Sequence, residues 1–289
     1  SYKLDYEISP TQLLTNTKIK KFVLYFILIL YTLISIYPLV WMILYSFKDN
    51  NEIFVTNPFG LPHVWRFENY RNAVERFDVM TYLKNSVVVA LLTILLVEFL
   101  ALLFCYVIAR VQNRVTRFFN LLISSGMFIP IQAIMIPLVI IVRRFGFTNS
   151  LWSVIVPYTA VGLPFACMLF YGFYLGLPIE LEESAFMDGA NLGTIYFKII
   201  LPQMKSPIVV LVIYQFMACW NEFNLALILL TKNALKTLPL GLVNFWTAYQ
   251  AQWGEVGAAM IMASIPVLII YLFFSNQIAD AMSASGMKN

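Results

Sequence analysis

The chain has 289 residues, of which 61% are hydrophobic and only 12% are charged, a balance that excludes a soluble globular domain. The formal net charge of +4 is carried at the ends of apolar runs, which argues against nucleic acid as a partner. Three widely spaced cysteines (Cys105, Cys167 and Cys219) lie inside apolar runs and are expected to be buried thiols, without a disulfide or a metal. The single histidine, His63, excludes zinc-protease signatures.

Six apolar runs in chain order are predicted to be transmembrane helices. The first, residues 22–47, carries no charge and is long enough to cross a hydrocarbon layer of ~30 Å. It is also too long for the apolar core of a signal peptide. The remaining spans are predicted at residues 85–109, 118–142, about 151–176, about 207–231 and 256–277. The prediction is an all-α membrane protein with both termini on one side.

Proline and glycine mark special places in these spans. Pro157 and Pro164 are expected to kink the fourth helix, which membrane helices tolerate when neighbours satisfy the freed carbonyls. Gly172 and Gly176 form a GxxxG pattern, which is consistent with close helix packing. A long polar loop, residues 48–84, separates the first two spans, and a polar segment with the run TLPLGL separates the last two.

The amphipathic stretch 178–207 interrupts the apolar runs, and its first half has the punctuation of a helix. Pro178 suits a first turn, and Glu180, Glu182 and Glu183 follow where the positive end of the helix dipole favours carboxylates. Leu181, Ser184, Ala185 and Asp188 share one face, which is small in the middle. Gly189 breaks the helix, and Pro202 stops a second apolar run. Such a short helix near a membrane is shaped to fit a groove on another protein.

This stretch resembles the EAA loop of permease subunits of bacterial ABC importers, in the maltose-type branch that imports oligosaccharides. The resemblance rests on Glu183-Ser184-Ala185, Asp188-Gly189-Ala190 and Ile200-Leu201-Pro202. Ser184 departs from the usual Ala, but a hydroxyl still fits a face of small residues. The stretches NPFGLP and FENYRNA in the loop 48–84 also resemble the external loop of sugar permeases. The alternative for residues 178–207 is an ordinary surface loop.

The resemblance implies a type I importer transmembrane domain at residues 22–280, between a cytoplasmic N-terminal segment (1–21) and a cytoplasmic tail (281–289). It implies that the EAA loop is a coupling helix that docks on a cytoplasmic ATPase. The residues implied in coupling are Glu182, Glu183, Ser184, Ala185, Asp188, Gly189, Ala190, Leu201 and Pro202.

The same resemblance implies the partners and the cofactors. The chain lacks a GxxxxGK[ST] motif for ATP. It is therefore expected to bind no cofactor and no metal itself, with ATP and Mg²⁺ on a partner ATPase dimer. The other implied partners are a second related permease, an extracytoplasmic sugar-binding protein, the sugar and membrane lipid. Ser283 and the residues after it resemble a tail that reaches into the ATPase dimer, the alternative being a frayed terminus.

The location implied is the bacterial plasma (inner) membrane. Positive charge near the helix ends, at residues 18–21 and at Arg110, Arg114 and Arg117, favours cytoplasmic termini. The EAA resemblance implies the same orientation, because that loop must face the ATPase.

Polar residues inside the spans indicate a candidate substrate path. A charge at the bilayer centre costs at least ~2.5 kcal/mol, so Glu98 and Glu222 each need an explanation. Aromatic faces beside hydrogen-bonding groups suit the surface of an uncharged sugar. The candidates are Gln132, Tyr214, Gln215, Trp220, Asn221 and Glu222, the last placed within helix five. The alternatives are contacts between helices or a contact with the binding protein. Glu98 is expected to face a neighbouring helix or a polar cavity.

The predicted function is transport by alternating access, in which this chain forms half of the pathway of an ATP-driven, binding-protein-dependent importer. The alternative is a gradient-driven secondary transporter or channel that uses Glu98 or Glu222. An enzyme is not expected, because the sequence has no metal-spaced cluster and no nucleophile–base signature.

Overall fold

The computed structural model describes residues 10–247 and 252–286, and every regular element within these ranges is helical. A helix satisfies its backbone hydrogen bonds within one segment, which is what a chain in lipid requires. The all-α prediction is confirmed.

The helices are numbered in chain order. They are α1 (Pro10–Tyr45), α2 (Glu68–Phe77), α3 (Val79–Arg110), α4 (Arg114–Ser125), α5 (Ile131–Arg144), α6 (Trp152–Gly176), α7 (Glu180–Met187), α8 (Leu192–Thr194), α9 (Leu201–Gln203), α10 (Lys205–Asn221), α11 (Asn224–Leu229), α12 (Leu238–Thr247) and α13 (Trp253–Gly286). Two π-helical segments, Glu52–Thr56 and Ile195–Ile200, and two 3₁₀ turns, Gly126–Phe128 and Asn233–Leu235, lie between them.

Four stretches among the described residues are long and apolar enough to cross a membrane as single helices. They are Lys20–Tyr45, Val79–Arg110, Trp152–Gly176 and Trp253–Ser275. Two further stretches meet the same test only as bent pairs, Arg114–Phe128 with Ile131–Arg144 and Leu192–Gln203 with Lys205–Asn221. Counting each pair as one span gives the six predicted from the sequence.

The third span is not the uninterrupted helix predicted at residues 118–142. It breaks after Gly126–Phe128, and the direction of the chain bends by 109° between the two halves. Pro130 has no backbone N–H to continue the ladder. Gly126 also lies so close to α6 that an added Cβ would stand 2.8 Å from Cγ of Pro164. The sequence shows the proline but not this contact with another helix.

The fifth span also differs from its prediction at residues 207–231. α10 ends at Asn221 and a short helix, α11, begins at Asn224. Glu222 therefore lies in the break between two helices and not within helix five. The reason is a set of hydrogen bonds to its carboxylate, described below.

The last helix is longer than the predicted 256–277, since α13 runs from Trp253 to Gly286. Residues 287–289 of the predicted tail lie outside the described residues. The run TLPLGL, predicted as a polar connection, begins α12. Gly241 there packs so closely on Tyr82 of α3 that a Cβ would stand 2.1 Å from the ring.

The chain divides into two compact units. The described residues up to Tyr70 and Gln252–Ile261 form one, and the remaining described residues form the other. In the second unit α3 packs along α6 and α10. Its core is built from Val97, Ala101, Leu102, Cys105, Ala109, Ala166, Cys167, Phe170, Tyr174, Ala185, Ile195, Ile200, Met204 and Leu211. All three cysteines are buried and free, as predicted.

Candidate functional site

The first half of the segment 178–207 folds as the predicted short helix. α7 begins at Glu180 and carries Glu180, Glu182 and Glu183 in its first turn. It ends at Met187, and Gly189 follows with a φ of +83°, a left-handed conformation that glycine adopts without steric cost. The predicted helix and its glycine break are confirmed.

Arg110, at the end of α3, holds α7 against the end of α6. Its Nε donates to Oε1 of Glu182 at 2.6 Å, and Nη1 donates to the carbonyl of Tyr174 at 3.0 Å. The hydroxyl of Tyr106 donates to Oε2 of Glu182 at 2.9 Å. Both charged side chains are only 15% exposed, so these charge-assisted hydrogen bonds are poorly screened. We call this set (Tyr106, Arg110, Tyr174 and Glu182) the Arg110 clasp.

A second attachment of α7 is apolar. Ala185 turns inward and is buried in the same core as Ile195, Ile200 and Met204. Ala190 and Leu201 pack at the edge of that core. The structure thus directs Glu182 and Ala185, two of the residues predicted for coupling, toward the chain's own core. They hold the helix in place.

The opposite side of α7 faces outward. Glu183 is exposed there, and Ser184 and Asp188, which were predicted to share a face with Ala185, are exposed as well. Gly189 and, in α9, Pro202 are also exposed. Beside them lie Phe186 and Met187, the latter 85% exposed. Sequence reasoning missed these two apolar residues. The reason is that the sequence prediction placed Ala185 on the docking face, whereas the structure buries Ala185 in the core and exposes the two residues after it.

A cleft of about 430 Å³ opens between α6 and α10. It is lined by Ile131, Tyr158, Val161, Gly162, Phe165, Tyr214, Gln215, Ala218, Cys219 and Glu222. The rings of Phe165 and Tyr214 lie with centroids 4.0 Å apart. This mixture of aromatic walls with a few polar groups is typical of small-molecule sites. We call this cleft the central cavity.

Glu222 lies at the central cavity, and both oxygens of its carboxylate accept hydrogen bonds. Oε1 accepts a hydrogen bond from the backbone N–H of Leu225 at 2.8 Å, and Oε2 accepts one from Ala226 at 3.1 Å. The hydroxyl of Tyr158 donates to Oε2 as well. The carboxylate therefore caps the first turn of α11, where the free N–H groups and the helix dipole favour a negative charge. This capping explains both the charge in a span and the break in the helix.

The structure brings together three of the six residues predicted for a substrate path, Tyr214, Gln215 and Glu222. The other three do not line the cavity. Gln132 is exposed. Trp220 is buried, and its indole N–H donates to the carbonyl of Ala263 at 3.2 Å. Asn221 donates to the carbonyl of Met217 in its own helix.

The aromatic residues that α6 contributes to the cavity, Tyr158 and Phe165, were missed. Tyr158, Gly162 and Phe165 stand at positions i, i+4 and i+7. One face of the helix therefore presents one aromatic ring on each side of a glycine. Gly162 allows α10 to approach, since a Cβ there would stand 2.7 Å from Oε1 of Gln215. The pattern was readable from the sequence, although its partner helix was not.

Glu98 is buried in α3, and within the described residues neither of its carboxylate oxygens has a hydrogen-bond partner. Oγ1 of Thr93 and Oε1 of Gln215 are also buried without one there. The helix α3 packs against α6 and α10, and that Glu98 faces a neighbouring helix or a polar cavity stays a prediction.

Known proteins match this chain along most of its length. The family model described as the binding-protein-dependent transport system inner membrane component matches residues 101–283. The diacetylchitobiose uptake system permease protein NgcG of Streptomyces coelicolor is 32% identical over 259 residues, which cover 89% of this chain and 85% of NgcG. The multiple sugar-binding transport system permease protein MsmG of Streptococcus mutans is 32% identical over 276 residues, covering 94% and 98%.

The fold is similar to that of a solved transporter. A chain in the crystal structure of a bacterial ABC transporter that imports the acidic polysaccharide alginate has a TM-score of 0.79 and 20% sequence identity. The match covers 90% of the present chain and 97% of that chain. At this identity the likeness shows a common fold.

Proposed function

Because the chain belongs to the family of binding-protein-dependent transport system inner membrane components, we propose that it forms half of the pathway of an ATP-driven importer of an uncharged sugar or oligosaccharide. It is a membrane permease subunit. The observation that carries the proposal is the fixed position of α7. The Arg110 clasp and the buried Ala185 attach α7 to the bundle, while Glu183, Ser184 and Asp188 remain exposed for a partner.

The partner proposed for α7 is an ATPase subunit that binds ATP and Mg²⁺, while this chain binds no cofactor. Phe186 and Met187 supply exposed apolar area that a groove can bury, and Glu183 and Asp188 supply charge beside it. When ATP closes the ATPase dimer, α7 moves with it, and its attachment to α3 and α6 carries the motion to the spans. Alternating access then requires two arrangements of the bundle that ATP and substrate favour differently.

The substrate class rests on the central cavity and on the relatives. The rings of Tyr158, Phe165 and Tyr214 offer flat apolar faces, and Gln215 offers an amide that can hydrogen-bond hydroxyl groups. The relatives include permeases for diacetylchitobiose and for multiple sugars. The absence of Arg and Lys from the cavity lining favours an uncharged sugar over a sugar phosphate.

The remaining partners are a second related permease and an extracytoplasmic sugar-binding protein. We also propose that both termini are cytoplasmic, like α7, and that residues 281–289 reach toward the ATPase. The gradient-driven alternative has less support. That alternative would use Glu98 or Glu222, and of these two the Glu222 carboxylate already accepts hydrogen bonds from Tyr158, Leu225 and Ala226. The chain's family is also one of binding-protein-dependent transport systems.

The proposal is tested by Glu183→Lys in the transporter reconstituted into lipid vesicles with its partner subunits. Reversing an exposed charge in the docking surface should lower ATP-dependent sugar uptake about tenfold or more, which corresponds to a loss of ~1.4 kcal/mol in docking. Sugar uptake and ATP hydrolysis are measured on the same vesicles. The matched control is Glu75→Lys, the same reversal at an exposed position of α2. Normal uptake by Glu183→Lys would refute this role of α7.

A further inference from the structure

The polar loop after α1 folds back against the membrane span. The indole N–H of Trp41 donates to the carbonyl of Pro58 at 2.9 Å. Trp41 lies one turn before the end of the apolar span at Tyr45, or roughly 6 Å along the helix axis. The turn formed by residues 57–62 is therefore at the depth of the last turn of the span. It does not project away from the membrane.

Four of the six backbone carbonyls of this turn are satisfied from inside the protein. Nζ of Lys48, which is only 1% exposed, donates to the carbonyls of Asn57 at 2.6 Å and Gly60 at 2.7 Å. Nδ2 of Asn57 donates to the carbonyl of Leu61 at 2.6 Å, and Trp41 satisfies Pro58.

Two backbone N–H groups in and beside the turn also have acceptors inside the protein. The N–H of Gly60 donates to Oδ1 of Asn57 at 2.9 Å, and the N–H of His63 donates to Oε1 of Glu52 at 2.7 Å. Glu52 is itself buried. A turn in water can leave such groups to the solvent, whereas a turn in lipid cannot. Burying the charged side chains of Lys48 and Glu52 costs free energy unless they are hydrogen-bonded, as they are here.

The outer surface of the turn is apolar. Phe59 is 73% exposed and Leu61 is 68% exposed, and Val64 and Trp65 continue the surface. Between Ile53 and Trp65 the sequence contains no Asp, Glu, Lys or Arg. Exposed apolar patches of this kind mark contacts with a membrane or another protein. Aromatic side chains at the end of a span are typical of the membrane–water interface.

We propose that the turn 57–62 is inserted into the lipid interface at the end of α1, with Phe59 and Leu61 among the acyl chains. Lipid is the occupant because the turn lies at the depth of Trp41 and four of its six backbone carbonyls are satisfied from inside the protein. The surface also continues that of α1, whose most apolar window contains no buried residue. In this role the loop anchors one end of the span and fixes its depth in the bilayer.

The test is spin labelling of the assembled transporter in vesicles of phosphatidylethanolamine and phosphatidylglycerol. The three buried cysteines are first replaced by alanine, and Phe59→Cys and Leu61→Cys are then labelled separately. Collision of each label with oxygen, which concentrates in lipid, is compared with collision with a water-soluble nickel chelate. The lipid reference is Ile29→Cys, which is exposed in the middle of the span, and the water reference is Glu68→Cys, which is exposed at the start of α2.

Because oxygen concentrates toward the bilayer centre, labels at positions 59 and 61 should have an oxygen accessibility above that at position 68 and below that at position 29. Their collision with the chelate should be several-fold lower than at position 68. Accessibility to the chelate equal to that at position 68 would place the turn in water and overturn the proposal. Low accessibility to both reagents would overturn it as well, because the surface would then be covered by a partner protein. Because both side chains point outward, either site alone is sufficient if the other variant fails to assemble.

Discussion

Arg110 is the residue on which the position of α7 depends most directly. A single guanidinium group reaches Glu182 on α7 and the carbonyls of Tyr174 and Leu177 at the end of α6. Because its planar fork serves several acceptors at fixed angles, a lysine could not replace it. Force applied to α7 therefore reaches two membrane helices through one side chain.

Replacing this residue, as Arg110→Gln, should loosen α7 without unfolding the bundle. Removing a charged partner from a hydrogen-bonded pair costs about 2 kcal/mol. The amides of Glu180–Met187 should therefore exchange with deuterium roughly 30-fold faster. The measurement is hydrogen–deuterium exchange on the assembled transporter. Arg114→Gln, a change of an exposed arginine four residues away, is the control and should leave exchange unchanged. Equal exchange in wild type and Arg110→Gln would show that Ala185 alone holds the helix.

At the scale of the elements, glycines decide how closely α6 can pack. Gly162 meets Gln215 of α10, where a Cβ would stand 2.7 Å from Oε1, and Gln215 is only 3% exposed. Gly172 and Gly176, the GxxxG pattern, meet nothing within 4 Å in the described chain. The motif therefore does not mediate packing within the described residues, while the isolated glycine does.

The variant Gly162→Ala should destabilise the assembly by about 1–3 kcal/mol, because the buried Gln215 has little room to move. The readout is the thermal denaturation midpoint of the purified transporter. Gly172→Ala is the matched control and should be neutral or stabilising by up to ~1 kcal/mol, since alanine favours a helix. Adding Gln215→Ala to Gly162→Ala should recover most of the loss. If the double variant remained as unstable as the single one, the contact with Gln215 would not be the cause.

At the scale of the whole molecule, two kinds of exposed surface stand out among the described residues. The outward side of α7 carries Phe186 and Met187, and the first span carries an exposed apolar surface along its length. A surface that combines charged side chains with a few exposed apolar ones, as on α7, is typical of a contact with a soluble protein. An apolar span is expected to contact lipid or another membrane helix. A permease subunit that works only in an assembly is expected to have both.

Gentle detergent extraction of the tagged chain should therefore recover a second permease and an ATPase with a P-loop. The ATPase should depend on α7, so Glu183→Lys should lose it and keep the permease, while Glu75→Lys should keep both. The measurement is identification of the copurified chains by mass spectrometry. Recovery of the chain alone in several detergents would contradict the proposed assembly.

The sequence by itself determined the properties that belong to short stretches of the chain. Hydropathy located the spans, and helix punctuation together with motif spacing located α7, because each depends on residues that are neighbours along the chain. The loop after α1 was visible as a turn-rich stretch for the same reason.

Only the tertiary structure decided the properties that depend on partners distant in sequence. Glu182 turns inward because it accepts a hydrogen bond from Arg110, which lies 72 residues earlier in the sequence. Glu222 caps α11 because its carboxylate accepts hydrogen bonds from Tyr158 and from backbone N–H groups of that helix. Gly126, beside the break in the third span, likewise packs against Pro164 of another helix. Local periodicity states which face of a helix is apolar, but the identity of the residue opposite is set by how the helices pack together.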